Sequence, residues 1–175
     1  EAARRRRVPR MEDAPMATPM SLEQQVASWF LESNVTLATA ESCTGGLIAH
    51  RLTNVSGASG FYAGGVVAYS NKVKETLLGV PPAVLEDHGA VSPETARAMA
   101  EGVRQLMGTD YGLAVTGIAG PNGGSAEKPV GLVYIAVARA GGDTQAWSRQ
   151  FSGVRTAIKA QTAETALEML LELFV

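Results

Sequence analysis

The apolar residues of the sequence recur at helical spacing in five stretches. They predict helices over residues 21–33, 44–55, 71–78, 92–107 and 155–175. Ser21 and Ser92 directly precede the apolar pattern of two of these helices, and serine is a typical N-cap residue. Asn71 is the expected cap of the third helix, and a proline at position 93 suits the first turn of the fourth.

Five shorter runs of β-branched and apolar residues predict strands. They cover residues 35–40, 64–70, 111–117, 131–138 and 144–153. Val66 and Val67 point to opposite faces of the second strand, which indicates that helices cover both sides of it. The last two strands flank Gly141 and Gly142, a pair typical of a hairpin, whereas elsewhere strands and helices alternate. The pattern predicts an α/β fold over residues 21–175: a three-layer α/β/α sandwich with a mixed central sheet in a single domain.

The composition is that of one globular domain. The 175 residues are 46% hydrophobic, which is enough to bury a sizeable core. No apolar run approaches the roughly 18 residues of a membrane span, and no secretory signal pattern is evident, so we expect no membrane contact. The single cysteine, Cys43, excludes an internal disulfide and suits a reducing compartment, so we expect a cytoplasmic protein.

The charge is distributed unevenly along the chain. Five of the 15 Lys and Arg residues, but only one of the 17 Asp and Glu residues, lie in the first ten positions. The remainder holds ten basic and sixteen acidic residues, a net charge of −6. An acidic body argues against a nucleic-acid partner, because phosphate contacts need clustered cations. Residues 1–20 are therefore predicted to be a disordered, Arg-rich N-terminal extension without a role of its own.

The stretch ATAESCTGG joins the first strand to the second helix and holds the first candidate chemistry. Backbone N–H groups at a helix start have no partner within the helix, so they stabilise a nearby anion. If Ser42 attacked a carbonyl carbon, these N–H groups could hold the oxyanion. Gly45 and Gly46 would let a substrate approach the backbone closely. The structural alternative is that Ser42 or Thr44 simply caps the helix.

A serine nucleophile needs a base. Lys74 follows the next strand along the chain, and in the first turn of the third helix the helix dipole and burial would both lower its pKa. The alternative for Lys74 is a solvated helix lysine, as most lysines are. The other candidate base is His88, which lies beside Asp87 in the segment EDHGAVS and could support Ser42 or Cys43. Nothing in the sequence brings this histidine near the serine.

A second glycine-rich segment, TGIAGPNGG at residues 116–124, leaves the end of another buried strand. Its glycines could present backbone N–H groups to a phosphate or carboxylate. The segment nevertheless lacks the Gly-Lys-Ser/Thr ending of a P-loop and the helix that should follow it. A surface loop is the alternative, although a glycine-rich loop of this length between buried strands is uncommon without a function. Lys128, Arg155 and Lys159 are candidate partners for an anion.

Together these segments resemble the CinA C-terminal domain family. The matching stretches run in order from about Val35 to Arg155 and read TAESCTGGLIAHRLTNVSGAS, GGVVAYSNKVKETLLGV, EDHGAVS, VTGIAGPNGGSAEKPVGLVYIAVA and FSGVR. Several long motifs in one order make the resemblance specific, whereas each motif alone is weak. The larger N-terminal domain of full-length CinA proteins has no counterpart in this sequence, so the resemblance implies the deamidase function only.

The resemblance implies hydrolysis of nicotinamide mononucleotide to nicotinate mononucleotide and ammonia, with no metal and no cofactor. Ser42 would be the nucleophile that forms an acyl-enzyme, and Lys74 with Tyr69 would act as base and proton shuttle. Lys72 is a second, less favoured candidate for the base. The TGIAGPNGG loop would shape the nucleotide pocket, and Arg155 would meet the phosphate. The implied substrate-binding residues are Cys43, Thr44, Gly45, Gly46, Thr116, Gly117, Ala119, Gly120, Pro121, Gly123, Gly124 and Arg155.

Two other functions remain open at this point. One is a non-catalytic nucleotide-sensing or interaction module in competence or DNA-damage responses, which the family's name suggests. The other is a hydrolase in which Cys43 is the nucleophile and His88 its base. The expected partners are a small-molecule nucleotide substrate and a second copy of the chain, since small α/β enzymes often form homo-oligomers, dimers in particular.

Overall fold

The computed structural model of the protein describes residues 18–173. This part folds into six α-helices: α1 (Leu22–Ser33), α2 (Leu47–Thr53), α3 (Asn71–Thr76), α4 (Pro82–His88), α5 (Pro93–Met107) and α6 (Arg155–Glu172). Its five strands are β1 (Leu37–Glu41), β2 (Tyr62–Val67), β3 (Tyr111–Gly117), β4 (Leu132–Arg139) and β5 (Gln145–Gln150). The predicted disorder of residues 1–20 falls outside the described residues, except for residues 18–20, which are exposed and have no regular structure.

The five strands form one mixed sheet in the order β2-β1-β3-β4-β5. β1 runs parallel to both β2 and β3, while β4 pairs antiparallel with β3 and with β5. In this register Glu41 at the end of β1 lies opposite Val67 of β2 and Val115 of β3. The carboxyl ends of the three parallel strands therefore meet at one edge of the sheet, where open α/β sheets bind their ligands.

Helices cover both faces of this sheet, which confirms the predicted three-layer α/β sandwich. One core lies between the sheet and helices α1, α2 and α6, and it contains Phe30, Ile48 and Leu167. The other lies on the opposite face and contains Met99 and Val103 of α5. Side chains of β1 alternate between the two cores, as the period-2 geometry of a strand requires.

Small residues let helix α5 lie close to the sheet. A Cβ atom on Gly112 of β3 would sit 2.1 Å from the carbonyl oxygen of Ala100 on α5, closer than any real Cβ contact. The face of β1 toward α5 carries Ala38 and Ala40, which are both fully buried. The many alanines and glycines of the sequence thus have a packing role, because they allow one helix to cover several strands closely.

Several predicted details of the local structure are wrong. β2 is an edge strand, so Val67 is half exposed and the predicted burial of this strand on both faces does not hold. Ser70, not Asn71, caps α3, because its hydroxyl accepts a hydrogen bond from the backbone N–H of Val73. The caps predicted at Ser21 and Ser92 are confirmed, and each hydroxyl accepts a hydrogen bond from the backbone N–H three residues later.

The start of the second helix also differs from the prediction, and one helix was not predicted at all. The second helix begins at Leu47 rather than at residue 44, because residues 42–46 form a turn in which Gly45 and Gly46 have φ angles of 61° and 100°. Helix α4 was not predicted, and His88 is its last residue rather than part of a loop. A seven-residue helix is too short for its apolar spacing to stand out in the sequence.

Candidate active site

Two residues from neighbouring crossovers meet at the carboxyl edge of the sheet. Ser42 directly follows β1, and Lys74 lies on α3 after β2. The Lys74 Nζ atom lies 3.1 Å from the Ser42 Oγ atom and donates a second hydrogen bond, of 2.8 Å, to the carbonyl oxygen of Ala68. The backbone N–H of Ser42 donates to the carbonyl oxygen of Val115 at 3.0 Å. Backbone carbonyl groups therefore hold both the main chain of Ser42 and the side-chain amine of Lys74.

The Lys74 side chain is 1% exposed, and burial lowers the pKa of its amine. No Asp or Glu of residues 18–173 lies within salt-bridge distance of it. The predicted contribution of the helix dipole is wrong, because Lys74 is the fourth residue of a six-residue helix and does not lie at its N-terminal end. Desolvation in the absence of a counter-charge favours the neutral amine, which is the form that accepts a proton from a hydroxyl.

Ser42 and Lys74 open onto a cleft with a volume of about 210 Å³ that is open to solvent. Eight predicted site residues line it: Ser42, Cys43, Tyr69, Lys74, Thr116, Gly117, Ala119 and Arg155. Asn71, Ala90 and Val91 also line it and were not predicted. Asn71 was missed as a lining residue because we predicted that its side chain caps α3, a role that Ser70 has instead.

The remaining predicted substrate-binding residues lie outside this lining. They are Thr44, Gly45, Gly46, Gly120, Pro121, Gly123 and Gly124. Gly120 borders the cleft through its carbonyl oxygen, which accepts a hydrogen bond of 2.7 Å from Arg155. The Thr44 side chain is buried, and its hydroxyl donates a hydrogen bond to Glu41 instead of facing the cleft.

Tyr69 and Arg155 form the rim of the cleft. The Tyr69 side chain is 62% exposed, and its hydroxyl oxygen accepts a hydrogen bond of 2.7 Å from Arg155 Nη2. Arg155 Nη1 donates to the carbonyl oxygen of Gly120. In the described part of the chain no carboxylate pairs with Arg155, so its charge is available to an anion in the cleft. Tyr69 makes no hydrogen bond to Lys74 or Ser42 in this structure.

The structure separates the alternative candidates from Ser42. Lys72 is exposed on α3 and does not line the cleft, so geometry favours Lys74 as the base. His88 also lies outside the lining, and its ring is 3.7 Å from the carboxylate of Glu94. Cys43 lines the cleft but is 5% exposed, and burial raises the pKa of its thiol to about 12. A cysteine hydrolase with His88 as base therefore has neither the contact nor the thiolate that it needs.

Sequence reasoning missed Glu41, the residue before the candidate nucleophile. Its side chain is 1% exposed and accepts three hydrogen bonds, from Thr44 Oγ1 at 2.7 Å, Ile48 N at 2.8 Å and Ala49 N at 2.9 Å. The first-turn N–H groups of α2 are thus occupied by the protein's own carboxylate. The prediction that they hold an oxyanion is wrong for Ile48 and Ala49. The sequence feature that could have indicated this role is an acidic residue shortly before the start of a helix.

Residues 18–173 contain no group of three or more His, Cys, Asp or Glu side chains placed to hold a metal ion. None of the helices described is both long enough and apolar enough to cross a bilayer.

Comparison with known proteins identifies the family. The CinA C-terminal domain model matches residues 19–174. A CinA-like protein of Geobacter sulfurreducens is 54% identical over 151 residues, which are 86% of this chain and 36% of that protein. A putative competence-damage inducible protein of Moorella thermoacetica is 52% identical over 150 residues, again 86% of this chain and 36% of that protein. The chain thus spans about a third of the length of these curated relatives.

The solved structures agree with this relationship. The crystal structure of the competence/damage inducible protein CihA from Agrobacterium tumefaciens matches with a TM-score of 0.85 and 43% identity. The match covers 88% of this chain and 94% of that one. The structure of a competence or damage-inducible protein from Enterobacter asburiae matches with the same TM-score and 33% identity, over 88% of this chain and 96% of that one. The chain belongs to the CinA C-terminal domain family.

Proposed function

We propose that the protein hydrolyses the carboxamide of nicotinamide mononucleotide to nicotinate mononucleotide and ammonia. The observation that carries this proposal is the 3.1 Å contact, at a cleft, between Ser42 Oγ and the buried amine of Lys74, which has no carboxylate partner in residues 18–173. A hydroxyl beside a neutral amine is an activated nucleophile. Family membership supports the proposal, and the resemblance of the motifs supplies the substrate.

In the proposed reaction Ser42 Oγ attacks the carboxamide carbon while Lys74 Nζ accepts the hydroxyl proton. The tetrahedral intermediate collapses when its C–N bond breaks, and the nitrogen leaves as ammonia after it gains a proton. In this scheme Tyr69 passes that proton from the Lys74 ammonium to the leaving nitrogen, which returns both Lys74 and Tyr69 to their starting forms; the Tyr69 oxygen accepts a hydrogen bond from Arg155, and its own hydrogen has no acceptor among the described contacts. Water then attacks the acyl-enzyme, with Lys74 again as the base, and releases the carboxylic acid and Ser42.

Arg155 is the proposed partner of the substrate phosphate. Its guanidinium group has five N–H donors, and the two hydrogen bonds to Tyr69 and Gly120 fix its plane and leave other donors for a ligand. Arginine binds phosphate well because its planar fork offers paired donors. The glycine loop that carries Gly120 would then form the wall of the nucleotide site.

The cytoplasm as the site of action and a homodimer are further expectations, and light scattering of the purified protein tests the dimer.

The proposed function is tested by ammonia release from nicotinamide mononucleotide. Wild-type protein should release it, while Ser42→Ala and Lys74→Met should each lose at least about a hundredfold in kcat. Lys72→Met is the matched control, since it removes an exposed lysine from the same helix two residues away, and it should keep wild-type kcat. Release by Ser42→Ala at the wild-type rate, or no release by folded wild-type protein between pH 6 and 10, would overturn the proposal.

A further inference from the structure

Glu41 is a fully buried carboxylate next to the candidate nucleophile, and the proposed reaction does not use it. Its Oε1 atom accepts from Thr44 Oγ1 and from the backbone N–H of Ile48, and its Oε2 atom accepts from the backbone N–H of Ala49. No Lys or Arg in residues 18–173 forms an ion pair with it. A buried charge held only by neutral donors is costly unless every donor is well placed, so the geometry of these donors is tightly constrained.

The three donors span the turn that carries Ser42. Thr44 lies within this turn, and Ile48 and Ala49 lie in the first turn of α2. Glu41 therefore ties the last residue of β1 to the first turn of α2, and closes residues 41–49 into a loop that contains Ser42. Two positions of this loop, Gly45 and Gly46, have positive φ, which glycine adopts without strain, so the turn keeps one shape only through the contacts that hold it.

The backbone of Glu41 also reaches the lysine. Its carbonyl oxygen accepts a hydrogen bond of 2.8 Å from the backbone N–H of Ala68, and the carbonyl oxygen of Ala68 accepts the hydrogen bond of Lys74 Nζ. Ser42 and Lys74 are thus fixed from one residue. The side chain of Glu41 holds the serine turn, and its main chain holds the residue that anchors the lysine amine.

We infer that Glu41 is a positioning residue, whose carboxylate sets the distance between the Ser42 hydroxyl and the Lys74 amine by clamping the turn of residues 42–46. This inference rests on the proposed serine–lysine chemistry but adds a role that the chemistry alone does not assign. Only a carboxylate satisfies all three donors. A glutamine offers one acceptor oxygen and one NH₂ group, so in either orientation its NH₂ faces the backbone N–H of Ile48 or Ala49.

The test compares Glu41→Gln with Asp110→Asn. Asp110 is a matched control at the opposite end of β1, where its Oδ2 atom accepts two hydrogen bonds of 2.8 Å from Thr36, far from the cleft lining. Both changes replace a bonded carboxylate by an amide, but Asp110→Asn keeps one oxygen that can accept both bonds from Thr36, so only Glu41→Gln should lower the melting temperature markedly. We expect Glu41→Gln to reduce kcat for ammonia release by about tenfold or more with KM within about twofold, because a displacement of about 1 Å is costly in catalysis. Asp110→Asn should keep kcat within about twofold of wild type.

A second readout does not depend on any substrate. Crystal structures of the two variants should show the Ser42–Lys74 contact preserved in Asp110→Asn and lengthened beyond hydrogen-bond distance in Glu41→Gln. If Glu41→Gln does not fold, Thr44→Val removes a single donor and should give a smaller loss of kcat in the same direction. Glu41→Gln with the Ser42–Lys74 contact intact, or with wild-type kcat, would overturn the inference. If wild-type protein releases no ammonia, the proposed substrate fails while the crystallographic comparison still decides the role of Glu41.

Discussion

The pH dependence of catalysis follows from the burial of Lys74. Only the neutral amine accepts the proton of Ser42, and desolvation in a site without a carboxylate partner lowers the pKa of Lys74 below its ordinary value of 10.5. We therefore expect kcat/KM to rise with pH and to reach half of its plateau value below pH 10.5. On the acidic side of that pKa, each pH unit should lower kcat/KM about tenfold, which equals about 1.4 kcal/mol of activation free energy.

The assay is initial-rate ammonia release from nicotinamide mononucleotide between pH 6 and 10, at constant ionic strength. Lys74→Arg is the matched variant, because a guanidinium group keeps its proton throughout this range and should abolish the rising limb together with the activity. Lys72→Met should reproduce the wild-type profile, since Lys72 is exposed and lies outside the cleft. If kcat/KM of the wild-type protein does not change with pH, or still rises tenfold per pH unit at pH 10, Lys74 is not a base with a lowered pKa.

The same pKa shift predicts a change in the free energy of unfolding. Between the lowered pKa of Lys74 in the folded state and about 10.5 in the unfolded state, the unfolded chain binds more protons, so the stability of wild-type protein rises with pH across this window. At pH values below this window, the burial of the Lys74 amine lowers the free energy of unfolding by a constant amount, which is its full effect. Lys74→Met lacks this titration, so its stability relative to wild type should be highest below this pH window and should decline as pH rises through it. Urea unfolding at several pH values measures the difference.

Three further predictions concern other residues of the fold and the site. Arg155→Ala should raise KM for nicotinamide mononucleotide about tenfold to a hundredfold through the loss of charge-assisted hydrogen bonds, yet leave KM for an analogue without the phosphate unchanged. An equal rise for both ligands would contradict a phosphate contact. Iodoacetamide should label Cys43 in the native protein roughly a thousandfold more slowly than in the unfolded chain, because a pKa of about 12 instead of 9.0 removes the thiolate; fast native labelling by mass spectrometry would contradict this. Gly112→Ala should cost about 1–3 kcal/mol of stability or more, since its Cβ would lie 2.1 Å from the Ala100 carbonyl oxygen, and an unchanged urea midpoint would be evidence against such close packing.

Much of the fold could be predicted from the sequence because its strongest signals are local. Helix α5 has a serine cap, a proline at its first position and apolar residues at helical spacing, and all three signals agree. Position in the sheet is not a local property, and for this reason the exposure of Val67 on the edge strand was missed. A sequence records which residues are apolar in β2, but not that no strand pairs with its outer edge.

The site was predictable in its residue types but not in its contacts. The order of strand, turn and helix placed Ser42 and Lys74 at neighbouring crossovers, and the sheet register then brought them together. The role of Glu41 could not be seen in this way, because its three donors depend on how the turn of residues 42–46 folds back toward α2. Asn71 was missed for a similar reason. Ser70 and Asn71 are both good N-cap residues, so the sequence does not show which of them caps α3 and which one faces the cleft.

The most direct test of the central claim is to trap the acyl-enzyme. Wild-type protein is mixed with nicotinamide mononucleotide, quenched in acid within milliseconds to seconds, digested and analysed by mass spectrometry. We expect a nicotinate-mononucleotide acyl group on the peptide that contains Ser42, and we expect none in Ser42→Ala or in Lys74→Met. Ammonia release without any such adduct, or an adduct carried by Cys43 in place of Ser42, would contradict this expectation.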